Sequence, residues 1–173
     1  MIYLVIPCYN EQEVLEDSTK KLASLIGRMQ GEDMRILFSD DGSRDETWNI
    51  ICKLHHQYPF VEGIRLAHNE GHQKALWAGM EAAADRAEAI ISIDADLQDD
   101  IEVIPRMVAD FRQGADVVYG VRKERDTDSA FKRLTALTFY RLMNTLGSHL
   151  VYNHAVFRLL SRRALLALLS FPE

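Results

Sequence analysis

The chain has 173 residues, a formal net charge of −6, 47% hydrophobic residues and 27% charged residues. These values are typical of one globular domain with a sizeable core, and they exclude a disordered or collagen-like chain. Because no apolar run approaches the ~20 residues of a membrane helix, no membrane span is predicted. Met1 leads straight into a strand-like run without a basic leader, so no secretion signal is predicted either.

The charge is distributed unevenly along the chain. Residues 1–120 contain 11 Lys and Arg against 22 Asp and Glu, whereas residues 121–173 contain 9 against 4. A basic end on an acidic chain indicates an anionic partner, either phosphate groups or a membrane surface. Solvated helix faces are the simpler explanation of the same basic residues. No nucleic-acid partner is predicted, and a homo-oligomer is left open.

Strand-like and helix-like patterns alternate through the first 120 residues. The strand-like runs span residues 2–6, 35–39, 61–67, 89–93 and 116–120. The helical patterns span residues 11–29, 45–58, 71–86 and 101–113. This alternation predicts an α/β domain with a mainly parallel sheet flanked by helices. Cys8 and Cys52 lack the spacing of metal ligands, which favours reduced thiols in the cytosol.

The pattern changes after residue 120. Residues 129–146 form an amphipathic helical pattern that suits either a cover for the sheet or a lipid interface. Residues 161–169 predict a last helix that needs an apolar partner. We therefore expect one domain over residues 1–173, with a core over residues 1–120 and a basic part with C-terminal amphipathic helices over residues 121–173.

Polar motif blocks follow four of the predicted strands, at residues 7–11, 40–47, 69–75 and 94–99. Turn chemistry explains any one of them. However, the carboxyl ends of parallel strands share one edge of the sheet, and ligands bind there in open α/β folds. Asp94 and Asp96 are two residues apart after a buried strand, so both side chains can reach one hard divalent cation. The four blocks together predict a ligand site.

These blocks also resemble a known family. They read Pro-x-Tyr-Asn-Glu, Asp-Asp-Gly-Ser-x-Asp-x-Thr, Asn-x-Gly-His-Gln and Asp-Ala-Asp-Leu-Gln-Asp, followed by Tyr-Gly-Val-Arg at 119–122 and Phe-Arg-Leu-Leu-Ser at 157–161. In this order they resemble the family 2 glycosyltransferases with the GT-A fold. The resemblance is strongest to the polyprenyl-phosphate branch, which includes dolichol-phosphate mannose synthase and the bactoprenol glucosyltransferases. It implies a Rossmann-like sheet.

The resemblance implies roles for particular residues. The donor nucleotide would be bound by Pro7, Tyr9, Glu11, Asp40 and Asp41. The cofactor, Mg²⁺ or Mn²⁺, would be held by Asp94, Asp96 and Gln98. The phosphates of donor or lipid acceptor would meet Arg122, Lys132, Arg133 and Arg158. Catalysis would depend on Asp94 and Asp96, with Asp99 the nearest further carboxylate, for which a helix-start role is equally expected. His72 is expected to pack or to bind phosphate.

The implied reaction is a metal-dependent, inverting transfer of a sugar from a nucleoside diphosphate to a polyprenyl phosphate, at the cytosolic face of the membrane. UDP is slightly preferred over GDP. Because a phosphate acceptor is already ionised near neutral pH, a strong general base is not required. The family continues into membrane helices, so the chain is expected to be truncated before them, soluble or peripheral by itself, and membrane-anchored at full length.

Two alternatives remain within this interpretation. Val156 stands where related sequences usually carry an acid, which favours a sugar-nucleotide-binding module without transfer activity. A family 2 enzyme with a soluble or polysaccharide acceptor is the other alternative.

Nicotinamide-dependent dehydrogenases and P-loop enzymes are excluded because their glycine-rich loops are missing. An aspartyl-phosphate phosphatase would place its Asp-x-Asp on an early strand and leave the block at 40–47 unexplained.

Overall fold

The computed structural model describes residues 1–121 and 154–171. In this part of the chain the strands are β1 (Ile2–Cys8), β2 (Met34–Asp40), β3 (Val61–Arg65), β4 (Ala89–Ser92), β5 (Val117–Val121) and β6 (His154–Ser161). They form one sheet in the order β3-β2-β1-β4-β6-β5. The five predicted strands are therefore confirmed, and β6 is an addition that the sequence pattern did not predict.

The sheet is mainly parallel, as predicted. Strand β1 pairs in parallel with β2 and β4, and β2 pairs in parallel with β3. Strand β6 runs antiparallel to both of its neighbours, β4 and β5. The carboxyl ends of β1, β2, β3 and β4 consequently lie at one edge of the sheet, which we call the carboxyl edge.

The helices in the described residues are α1 (Leu15–Arg28), α2 (Thr47–Gln57), α3 (His72–Ala84), α4 (Ile104–Arg112) and α5 (Arg162–Leu169), with a short 3-10 turn at Ile101–Val103. The four predicted helices of the core and the last one are confirmed, each with shorter bounds. The amphipathic segment predicted at residues 129–146 lies outside the described residues. Among the residues that the structure describes, no helix combines the length and the apolar character needed to cross a membrane.

The core lies on both faces of the sheet, because successive side chains of a strand point to opposite sides. Every residue of β1 is buried. Ile2, Leu4 and Ile6 pack against α1, α2 and α4, while Tyr3 and Val5 pack against α3 and α5. A Cβ atom at Gly79 of α3 would lie 2.6 Å from a Val5 methyl group, so only glycine allows this close contact. The middle of α3 thereby packs closely against the middle of β1.

Candidate active site

A cleft of about 340 Å³ opens at the carboxyl edge of the sheet. Its walls come from the loops that follow β1, β2, β3 and β4. The lining residues are Pro7, Cys8, Tyr9, Glu11, Asp41, Asn69, Gly71, His72, Ala75, Asp94, Ala95 and Asp96. The structure thus brings together residues from all four strand-end blocks, as expected for parallel strands that end at the same edge.

Carboxylates crowd one part of this cleft. The pKa of Glu11 is raised, first by burial and then by the negative charges of Asp96, Asp45 and Asp94. A raised carboxyl pKa means that the environment disfavours the ionised form. The part of this shift that comes from the neighbouring carboxylates is a repulsion that a bound cation would relieve.

The loop after β4 fixes the orientation of Asp96. The backbone N–H of Gln98 donates to Asp96 Oδ1 over 3.2 Å, and the Gln98 side-chain amide donates to Asp96 Oδ2 over 2.7 Å. Leu97 between them has φ of 49°, a left-handed conformation that a leucine rarely adopts. Gln98 is therefore a hydrogen-bond partner of Asp96 here, and its predicted role as a metal ligand through Oε1 stays a prediction.

The donor atoms of the cleft suit a hard cation that is shared with a substrate. Asp94 and Asp96 offer carboxylate oxygens, the ligand type that Mg²⁺ and Mn²⁺ prefer. Within residues 1–121 and 154–171, no group of three or more His, Cys, Asp or Glu side chains could hold a metal ion by itself. The remaining ligands would have to be water and phosphate oxygens, as is usual for magnesium beside a diphosphate. The residues present fit such an ion.

Asp41 lies in the cleft wall with its carboxylate held by backbone groups. Only 2% of the residue is exposed. The N–H groups of Glu70 and Gly71 donate to its two oxygens over 2.7 and 2.9 Å. Because an ionised carboxylate can accept about four hydrogen bonds, Asp41 keeps acceptor capacity for a ligand. The close approach of the two loops requires Gly42, whose φ is 66° and whose Cβ would lie 2.7 Å from the His68 backbone.

Asp40, predicted to bind the nucleotide beside Asp41, does not line the cleft. It is fully buried at the end of β2. Its Oδ1 accepts from the Ser43 N–H over 3.1 Å, and its Oδ2 lies 3.1 Å from Nε of Arg65. Neighbouring residues of an extended segment point to opposite sides, which separates Asp40 from Asp41. The structure places Asp40 underneath the loop as a support for it.

Two further predicted residues, Asp99 and Arg158, do not line the cleft. Asp99 is 6% exposed and lines a separate hollow of about 650 Å³ beside α4, together with Tyr119 and Phe157. Arg158 is half-buried in β6 and pairs with Ser92 of β4. Ser92 precedes Asp94 by two residues. Arg158 therefore lies one strand away from the acidic loop. The remaining phosphate candidates, Arg122, Lys132 and Arg133, lie outside the described residues.

Six cleft residues lie outside the predicted donor, metal and phosphate sets, and three of them, Cys8, Asn69 and His72, have side chains with a polar or sulfur atom. For His72, packing or phosphate binding was expected. His72 is the first residue of α3, and its Nε2 lies 3.5 Å from Asp94 Oδ1. Burial, followed by the nearby carboxylates, raises the pKa of the Cys8 thiol far above its usual range, so this thiol stays uncharged. All three lie inside the motif blocks, and that position was the only signal available in the sequence.

Comparison with known proteins identifies the family of this chain. The family described as Glycosyl transferase family 2 matches residues 3–169. The chain is 48% identical to the uncharacterized glycosyltransferase YkoT of Bacillus subtilis, over 100% of this chain and 53% of that protein. It is 37% identical to the bactoprenol glucosyl transferase of Shigella phage SfX, over 99% of this chain and 56% of that protein. The chain thus spans about half the length of these relatives.

The fold also has solved counterparts. Glucosyl-3-phosphoglycerate synthase from Mycobacterium tuberculosis, solved with Mn²⁺, UDP-glucose and phosphoglyceric acid, superposes with a TM-score of 0.66 at 19% identity. The superposition covers 94% of this chain and 57% of that one. This likeness confirms the predicted GT-A architecture of the sheet and its flanking helices. Taken with the family match and the relatives, it shows that the chain belongs to glycosyl transferase family 2.

Proposed function

We propose that this domain transfers a sugar from a nucleoside-diphosphate sugar to a polyprenyl phosphate, with inversion at the anomeric carbon and with Mg²⁺ or Mn²⁺ as cofactor. The observation that carries the proposal is the cleft at the carboxyl edge, where Glu11, Asp94 and Asp96 converge beside Asp41. The acceptor class follows the name of the Shigella phage relative, and UDP follows the ligand solved with the mycobacterial synthase.

Different residues of the cleft would bind different parts of the donor. Pro7, Tyr9 and Asp41 would receive the nucleoside, with Tyr9, 38% exposed, offering a ring for the base to stack on. Asp94 and Asp96 would hold the metal against the diphosphate. The bound metal would stabilise the charge that develops on the departing nucleoside diphosphate.

The acceptor would approach from the side of β6. Of the four Arg and Lys residues predicted to contact phosphates, Arg158 is the one that the described residues include, and its Nε is buried without a hydrogen-bond partner among them. A guanidinium in this position suits a phosphate group. Since the phosphate oxygen is ionised near neutral pH, the attack needs no strong base. This agrees with the position of Asp99 outside the cleft lining.

The membrane surface is the expected place of the reaction, because a polyprenyl acceptor resides there. The basic balance of residues 121–173 supports attraction to anionic lipid head groups. We place the reaction at the cytosolic face, where nucleotide sugars are available. We also propose that the full-length protein is anchored in the membrane by segments outside this chain.

The experiment combines the chain with a UDP-sugar or GDP-sugar and a polyprenyl monophosphate in detergent, with Mn²⁺ or with chelator. We expect a lipid-linked sugar monophosphate by mass spectrometry, formed only with the metal, and an inverted anomeric configuration by NMR. Product in chelator would refute the metal role, and retained configuration would refute inversion. Transfer to a soluble sugar but not to the lipid phosphate would identify a different acceptor class.

A sugar-nucleotide-binding module is the second candidate, and Val156 is the observation that favours it. Val156 is half-buried and packs beside the apolar cluster of α3 and α5, where an acid would be expected from the family pattern. Metal-dependent binding of a nucleotide without transfer or hydrolysis would support this candidate. Replacement Val156→Asp provides the sharper test, since activity gained by this variant would indicate that the valine disables transfer.

A further inference from the structure

Two loops at the cleft are joined by a reciprocal set of hydrogen bonds, which we call the loop zipper. Its members are residues 10–12 after β1 and residues 43–47 after β2. The N–H of Asn10 donates to Ser43 Oγ over 2.9 Å, and the Arg44 N–H donates back to Asn10 Oδ1 over 3.0 Å. The N–H of Glu11 donates to Thr47 Oγ1 over 2.8 Å. The Glu46 N–H donates to the Gln12 side chain over 3.1 Å.

The first loop needs such support because its native conformation is unfavourable. Asn10 has φ of 56°, a left-handed conformation that non-glycine residues adopt at a cost. The next residue, Glu11, is directed into a cleft that already contains Asp94 and Asp96. Like-charge repulsion would move Glu11 outward if its backbone were free to relax. The loop therefore requires a partner that holds it in place.

Thr47 is the best-fixed member of the second loop. It is fully buried, and it is the first residue of α2. Its own N–H donates to Asp45 Oδ1 over 3.0 Å. The same loop is fixed from below, because Arg65 donates to the Ser43 carbonyl over 2.8 Å and pairs with Asp40. The Thr47 hydroxyl thus gives the Glu11 N–H a rigid acceptor.

We propose that Thr47 is a positioning residue of the donor site, which holds the backbone of Glu11 so that this carboxylate stays in the cleft before any ligand arrives. The inference rests on the proposed function, since it assigns a purpose to Glu11 in donor binding. It also gives the block at 40–47 a role other than ligand contact: Ser43 and Thr47 hold the loop that carries Tyr9 and Glu11. Asp45 Oδ2 accepts from the Gln12 N–H of that loop over 3.4 Å.

The test compares Thr47→Val with Thr47→Ser and with Thr19→Val. Valine keeps the shape of threonine but cannot accept the hydrogen bond, whereas serine can. Thr19 is the matched control: it is also fully buried, and its hydroxyl donates to the Leu15 carbonyl over 2.7 Å within α1, away from the cleft. Each variant is compared with the natural protein for melting temperature, amide exchange and donor binding.

We expect Thr47→Val to increase the hydrogen-exchange rate of the Glu11 amide about tenfold, the factor that follows from one lost hydrogen bond. Binding of UDP or a UDP-sugar with Mn²⁺ weakens about tenfold, and KM for the donor rises while kcat changes less than threefold. Thr47→Ser restores these values. Thr19→Val lowers the melting temperature by a similar amount but leaves Glu11 exchange and donor binding unchanged.

Two results would overturn the proposal. One is unchanged exchange at the Glu11 amide in Thr47→Val, and the other is a loss of donor binding in Thr19→Val equal to that in Thr47→Val. The exchange measurement needs no ligand. If the natural protein binds no nucleotide, the proposed function fails. The positioning of Glu11 by Thr47 is still tested, because it depends on the exchange rate of the Glu11 amide alone.

Discussion

Two carboxylates at opposite edges of the same sheet have opposite environments. At the carboxyl edge, burial and three neighbouring acids raise the pKa of Glu11. At the other edge, directly before β4, Glu88 bonds to Arg112 and to the amino group of Met1, and its pKa is lowered to about 2. Arg112 also bonds to Glu32, so one guanidinium joins two acids. The edge with Glu88 is stabilised by ion pairs, whereas at the carboxyl edge the neighbouring acids repel Glu11.

The difference indicates where function opposes stability. A neutralised cluster such as that around Arg112 favours the folded state. A repulsive cluster such as that around Glu11, Asp94 and Asp96 disfavours it, and persists because the surrounding loops are fixed by hydrogen bonds. Perturbed carboxylates in a cleft are typical of functional sites. The predictions below test the two edges separately.

The largest effect is expected for Asp96→Ala. Because a metal supplies several kcal/mol of charge stabilisation, we expect transfer to fall by roughly a hundredfold to a thousandfold. Asp96 is exposed, so the variant should fold normally. The measurement is the rate of sugar transfer together with Mn²⁺-dependent nucleotide binding. The control is Asp33→Ala, which removes an exposed acid before β2 at the other edge and should keep full activity. Equal losses in both variants would contradict the assignment of Asp96 as a metal ligand.

The next effect is expected for Glu88→Gln, which removes a stabilising charge. The lowered pKa of Glu88 means that its contribution is complete above about pH 4.5, the ordinary value for Glu, and is lost as the pH falls towards 2. Since the side chain is partly exposed, we expect a loss of only about 1 kcal/mol near neutral pH. Urea unfolding at several pH values measures it. Donor binding should not change, because Glu88 lies outside the cleft.

Much of this arrangement could be predicted from the sequence. The strands and helices follow from apolar periodicity, and the convergence of the four blocks follows from parallel strands that share an edge. Strand β6 could not be predicted, because its short apolar run 157–161 gains strand structure only by pairing with β4 and β5. The loop zipper was equally inaccessible, since its bonds join residues more than 30 positions apart.

Asp40 and Asp41 show the limit more sharply. Both acids fall in one motif, and the sequence prediction assigned both to the nucleotide. The structure directs Asp40 below the loop, to Arg65, and Asp41 into the cleft. The alternation of side chains along a strand predicts that Asp40 and Asp41 point in opposite directions. It does not show which of the two faces the cleft, because that depends on the position of the other loops. The choice depends on Arg65 and on the N–H groups of residues 70 and 71.

The smallest effect, and the one of opposite sign, is expected for Glu11→Gln. A raised carboxyl pKa means that the folded state prefers the neutral form, so ionised Glu11 lowers stability above its folded-state pKa, and this penalty disappears in acid. The glutamine variant should be more stable than the natural protein near neutral pH, by less than about 1 kcal/mol, and equally stable near pH 3. Glu88→Gln destabilises over the same range, so the two pH profiles should slope in opposite directions. Mn²⁺ with UDP should reduce the advantage of Glu11→Gln, because the bound cation offsets the part of it that comes from repulsion by the neighbouring acids. An advantage that is unchanged with both ligands bound would place the cation elsewhere.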